Sequence, residues 1–159
     1  MELCRLLVKY LFFVLFSLLI LKNNIAYSDI LPNDLYSATE VVEIQMTSLQ
    51  SNSISKNQGI FQCWLFAHPK NKKFTGPFSN FTSMISNTSY NILLNSFKFR
   101  VKLLSEEKNI AKVSVEVDAK NNKRYNLIWI LEKANLNKKC KKCWMTVSVT
   151  EPEFKGLLN

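Results

Sequence analysis

Phe97-Lys98-Phe99-Arg100-Val101-Lys102-Leu103 and Ala111-Lys112-Val113-Ser114-Val115-Glu116-Val117-Asp118 decide the fold. In each run apolar residues alternate with charged or polar ones, the period of a strand with one buried and one wet face. A turn centred near Glu107 would place the two Phe/Val rows on one face and Lys98 opposite Glu116. Downstream, Asn121-Asn122 forms the next turn, because Asn tolerates positive φ. Tyr125–Leu131, with Trp129, is apolar on both faces and predicts a strand covered on both sides. Trp144–Val149 predicts the last strand, and the tail after Pro152 reads as frayed.

Upstream of these strands the period is 3.6 rather than 2. Ser37-Ala38-Thr39-Glu40 is a capping box, and behind it Val41, Val42, Met46 and Leu49 recur at helical spacing over 38–51. Ser51–Gln58 is a polar connector. A second helix over about 58–67 carries Ile60, Phe61, Trp64 and Leu65 and stops before Pro69. Asn71–Lys73 reads as exposed loop, and Gly76-Pro77 opens a third short helix with Phe78, Phe81, Met84 and Ile85 inward. Three helices followed by a four-stranded antiparallel meander predict an α+β fold, with the helices on one face of a curved sheet.

Residues 1–28 have a different character. Met1–Tyr10 carries Arg5 and Lys9, Leu11–Leu21 is apolar apart from Ser17, and Ala26-Tyr27-Ser28 supplies small residues two apart. That is the order of a secretory signal peptide, and the apolar run is shorter than the roughly 20 residues a spanning helix needs. The expected organisation is therefore a signal peptide at 1–28, a linker at 29–36, an α+β domain at 37–150 and a flexible tail at 151–159. An uncleaved signal anchor is the alternative, since Lys22 directly follows the apolar run. Cleavage after Ser28 leaves 131 of the 159 residues, exported to a periplasm or a thylakoid lumen.

Charge and composition narrow the function classes. The chain has 21 Lys+Arg against 12 Asp+Glu, a formal +9, but 18 of the basic residues are Lys and only three are Arg. Nucleic-acid readers lean on Arg for bidentate and stacking contacts, so the basicity reads as a solvated Lys surface rather than a nucleic-acid interface. Lys138, Lys139, Lys141 and Lys142 form one compact cluster. Membrane contact is expected only through that loop or the N-terminus. A single His, His68, argues against His-rich metal centres and His-based triads, and no cofactor or metal is expected.

Local wording adds a resemblance. Gly59-Ile60 through Trp64, Phe66-Ala67-His68-Pro69, Asn71-Lys72 and Thr75-Gly76-Pro77 are followed by Phe81, Met84, Tyr90, Leu93-Leu94 and Cys143-Trp144-Met145-Thr146. Over about residues 40–150 this order resembles the cyanobacterial and plastid-lineage members of the family catalogued as domain of unknown function 4864. His68 departs from it, standing where the pattern has Ser. The element order is also similar to the nuclear-transport-factor-like (SnoaL-like) superfamily, whose sheet closes over helices as a cone with an internal pocket. The first resemblance implies a fold and a lineage but no activity.

Several constellations carry candidate chemistry. Cys140-Lys141-Lys142-Cys143 in an exported protein is expected to close a small disulfide ring. The same pair with Cys63 and His68 has the residue types of a Cys3His zinc site, although Cys63–His68 is not a recurring ligand spacing, and a buried core Cys and a locally bonded His are the simpler reading. Trp64, His68, Tyr90 and Trp129 are the expected lining of an apolar pocket. A cone-type isomerase or lyase would need Tyr90, Tyr125 or His68 as its acid–base group, and none has a discernible partner. The expectation is a non-enzymatic protein that binds a small apolar ligand or a protein partner.

Overall fold

The computed structural model describes residues 29–52 and 57–158. The expected signal peptide, residues 1–28, lies outside the described residues, as does part of the 51–58 connector. Four helices come first: α1 (Ala38–Gln50), α2 (Gln58–Leu65), α3 (Pro69–Thr75) and α4 (Phe78–Asn87), then a 3-10 turn at Ser89–Leu93. Five strands follow: β1 (Lys98–Glu107), β2 (Ile110–Asp118), β3 (Lys123–Ala134), β4 (Cys143–Val149) and β5 (Glu153–Leu157). The fold is α+β with an antiparallel sheet, one helix and one strand richer than expected.

The capping box at α1 forms in both directions: Glu40 N–H donates to Ser37 Oγ, and Glu40 Oε2 accepts from Ser37 N at 2.8 Å. The Ser37 N–H and the Ser37 hydroxyl, both donating to Glu40 Oε2, hold its exposed carboxyl below the usual carboxylate range. The next helix is capped from a distance. Asn52 Oδ1 accepts from Gly59 N at 3.0 Å and Ile60 N at 3.3 Å, using two of the amides a helix start leaves open. Gly59 sits where α1 and α2 touch, and a Cβ there would stand 2.0 Å from the Ser48 carbonyl oxygen. Only glycine lets the two backbones approach so closely.

The 71–73 loop reading is corrected. Those residues lie in α3, with Pro69 at its first position, His68 as N-cap and Gly76 (φ 81°) as C-cap. No α3 residue is fully buried, so the helix has no apolar stripe to betray it, only its end signals.

The β1–β2 hairpin puts Phe99 opposite Val117, Val101 opposite Val115 and Leu103 opposite Val113 on one face, as expected. The register differs: Lys98 faces Asp118, and Arg100 faces Glu116. The turn is Lys108-Asn109, closed by the Glu107–Ile110 pair and helped by Lys108 at φ 44°, and an irregularity between Leu103 and Ser105 takes up one residue. On the outer face Arg100 pairs with Glu116, and Arg124 Nε donates to Asp118 Oδ1 at 2.7 Å. That hydrogen bond from Arg124 holds Asp118 below the usual carboxylate range.

β3 is 12 residues long and β4 only seven, so β4 pairs only the Trp129–Ala134 half of it. The tail supplies the rest, which corrects the expected flexible tail at 151–159. β5 pairs Lys123–Asn126, and Thr150 bridges between, exchanging bonds with both backbone groups of Ile128. Unpaired N–H and C=O groups along half a strand are what recruits this segment. Leu127, Trp129 and Leu131 are buried while Asn126, Ile128 and Ile130 are half-buried, so β3 is fully covered on one face only. The core lies between that face and α1: Val42, Met46, Ile60, Val113, Val115, Leu127 and Leu131 are fully buried in one cluster. No helix among the described residues is long and apolar enough to cross a membrane.

The expected linker at 29–36 forms no helix or strand, and it is held against the domain. Gln62, fully buried on α2, accepts from Ile30 N at 2.9 Å and donates to Ile30 O at 2.7 Å. Four residues on, Asp34 Oδ1 accepts the Lys142 N–H at 2.8 Å. The segment is docked at two points by bonds that reach across the chain.

Candidate functional site

The helices do not fill the whole inner face of the sheet. A cavity of about 170 Å³ lies between α1, α2, α4 and the C-terminal strands, and α3 stands at its mouth. Leu49, Ile85, Leu93 and Trp129 form its apolar depth, and Phe74, 92% exposed, stands at the opening with Asn71, Thr75, Val147 and Ser148. The polar wall is bonded to itself. Thr146 Oγ1 donates to Gln45 Oε1 at 2.9 Å, Asn71 Nδ2 to Thr146 O at 3.3 Å, and Tyr90 Oη to Val149 O at 2.9 Å.

Among the described residues no carboxylate, Lys, Arg or His lines this cavity. Its two ionisable groups are held neutral. Burial pushes the free Cys63 thiol far above its ordinary range, and burial with the nearby Glu151 raises the Tyr90 phenol. The space presents a mostly apolar, uncharged interior whose buried amide and hydroxyl groups, Gln45 and Thr146, are paired with each other, the chemistry of a site for a neutral molecule.

Of the four residues expected in a pocket, Tyr90 and Trp129 line this one, and Trp64 and His68 do not. The indole of Trp64 packs between helices, 5.1 Å from the Phe81 ring and 6.0 Å from Phe78, with Lys72 Nζ 5.2 Å from its centroid. His68 turns away to cap α3, its Nδ1 accepting the Lys70 N–H at 3.1 Å. Burial lowers its pKa, and Glu132 acts weakly in the opposite sense. Tyr125 lies elsewhere too, its hydroxyl accepting from Asn121 Nδ2 and its ring against Phe154. Sequence reading missed Gln45, Asn71 and Thr146. Gln45 and Thr146 do stand out as polar residues inside otherwise apolar helix and strand faces.

Cys140 and Cys143 are joined in a disulfide, both fully buried with Ala134 and Met145. Cys63 and His68 do not join them: among the described residues Asp34 is the third ligand-type group near this pair. Lys138, Lys139, Lys141 and Lys142 are all exposed on the same loop.

No protein-family model, no curated protein and no solved structure matches this chain. The likeness to the domain-of-unknown-function 4864 family and to the nuclear-transport-factor-like cone therefore gains no support from relatives.

Proposed function

We propose that this protein is a non-enzymatic carrier or sensor that binds a small, neutral, mostly apolar molecule in the cavity beside Trp129. The observation that carries this reading is the uncharged lining: apolar residues at depth, Tyr90 and Cys63 held neutral, and the amide and hydroxyl groups of Gln45, Thr146, Asn71 and Tyr90 bonded within the protein. A charged ligand would lose its hydration there without a partner. Size narrows the class further. A roughly 150 Å³ apolar cavity holds one benzene, so about 170 Å³ suits one substituted ring or a short aliphatic chain. A hydroxyl on such a ligand meets Asn71 or Ser148 at the mouth. The cone-like likeness and an exported location are parts of the same proposal, resting on element order and on the signal-peptide wording of residues 1–28.

Matched neutral and charged pairs test it. Benzyl alcohol and cyclohexanol raise the melting temperature, and benzoate and cyclohexanecarboxylate do not. With about eight non-hydrogen atoms at about 0.7 kcal/mol each, Kd falls near 0.1 mM. Val147→Trp, placed at the rim and outside the core, blocks the response. Equal shifts from charged and neutral members, or an unaltered response in Val147→Trp, would refute the reading.

A further inference from the structure

Two stretches far apart in sequence meet at one end of the molecule. Asp34 Oδ1 accepts the Lys142 N–H and lies 3.4 Å from Cys143 Sγ. The loop it touches is tied from within. Leu136 N donates to Cys140 O at 2.8 Å, Cys140 N to Asn137 O at 3.1 Å, and Lys139 N to Asn137 Oδ1 at 2.8 Å, with the disulfide across Cys140 and Cys143. Lys138, Lys139, Lys141 and Lys142 thus stand on a backbone already fixed before any partner arrives. Among the described residues none of the four forms an ion pair, and the one carboxylate at the loop is turned to a backbone amide.

Exposed leucines border the same loop. Leu35, next to Asp34, is 89% exposed, and Leu136, which opens the loop, is 42% exposed. The chain that carries the apolar run Leu11–Leu21 enters the described region at Asp29. Ile30 is fixed on Gln62, and the four residues from there to Asp34 span at most about 14 Å. An N-terminal apolar segment, when retained, therefore leaves the domain close to the Lys loop.

We propose that this end docks on an anionic lipid surface. The four ammonium groups lie at the level of the lipid phosphates, and Leu35 and Leu136 enter the interface beside them. Charge complementarity and the exit of the N-terminal segment at this end favour a membrane as the occupant. This surface is separate from the cavity, and the proposal does not depend on the ligand reading.

Flotation of the full chain with vesicles tests it, comparing neutral phosphatidylcholine with the same lipid containing about 30 mol% phosphatidylglycerol, within the range of anionic membranes. Using the full chain throughout keeps the N-terminal contribution constant. Wild type binds the anionic vesicles more tightly, and the difference shrinks with salt. The combined Lys138→Gln, Lys139→Gln, Lys141→Gln and Lys142→Gln variant loses about fivefold per charge removed, with circular dichroism confirming its fold. Leu35→Ser weakens binding to both vesicle types. Inorganic phosphate at matched ionic strength leaves the difference intact. A quadruple variant that keeps the preference, a wild type that has none, or displacement by phosphate alone would each overturn the proposal.

Discussion

Gln62 holds Ile30 by both ends of its amide, accepting the Ile30 N–H at 2.9 Å and donating to the Ile30 carbonyl at 2.7 Å. The pair spans 32 residues of sequence and fastens the N-terminal segment to a helix that also forms part of the cavity wall. Gln62→Ala removes both partners and leaves a small void, costing about 2 kcal/mol. Hydrogen exchange at Ile30 reports it: protection is lost in the variant and the strands keep theirs. Unchanged protection would mean that the segment is held by other contacts.

Gly59 meets the Ser48 carbonyl where α1 crosses α2. Alanine has about 1 kcal/mol better helix propensity, but its Cβ would overlap a backbone oxygen that cannot swing aside. The overlap wins, and Gly59→Ala lowers stability by about 1–3 kcal/mol in denaturant unfolding. A stabilised variant would contradict the close crossing.

His68 is the single histidine, so its ring protons titrate unobscured in proton NMR. Its pKa is lowered mainly by burial, and its Nδ1 must stay unprotonated to accept the Lys70 N–H. The folded form then binds fewer protons than the unfolded chain between the folded pKa and 6.5. This contribution to stability is complete above 6.5 and is lost as pH falls from there through the folded pKa. His68→Ser keeps a cap and removes the pH dependence, and His68→Ala costs about 1 kcal/mol. A midpoint above 6.5 would contradict the geometry.

The Cys140–Cys143 ring is short, so its loop-entropy contribution is small, about 2 kcal/mol for four residues. Thiol titration of the denatured full chain gives two reactive groups, Cys4 and Cys63, and four after reduction. Four without reduction would refute the disulfide. Double replacement by Ser lowers stability by about that amount and loosens the loop that carries Asp34's partner.

The sequence made the local features legible and left the long-range ones hidden. The Ser37–Glu40 box, the Phe99/Val101 and Val113/Val115 rows and the Asn122 turn (φ 58°) were readable, because each depends on neighbours in the chain. The turn at Lys108-Asn109 shifts the hairpin register by three residues from the expected one and the bulge at Leu104 takes one back, leaving it two residues off. α3 had end signals but no apolar period, since none of its own residues is buried. β5 exists because β4 is too short for β3, a mismatch no local pattern contains. Of the expected pocket residues, Tyr90 and Trp129 line the cavity, while His68 caps α3 and Trp64 lies in an aromatic cluster, a placement that depends on neighbours distant in the chain.

Trp129 lines the cavity and offers a direct reporter once Trp64 and Trp144 are replaced by Phe. The decisive measurement is the emission of this single-Trp protein during titration with benzyl alcohol and, separately, with benzoate. Saturable change with benzyl alcohol near 0.1 mM and none with benzoate is the predicted result. An emission that neither compound alters, or that both alter alike, would contradict a neutral-ligand cavity.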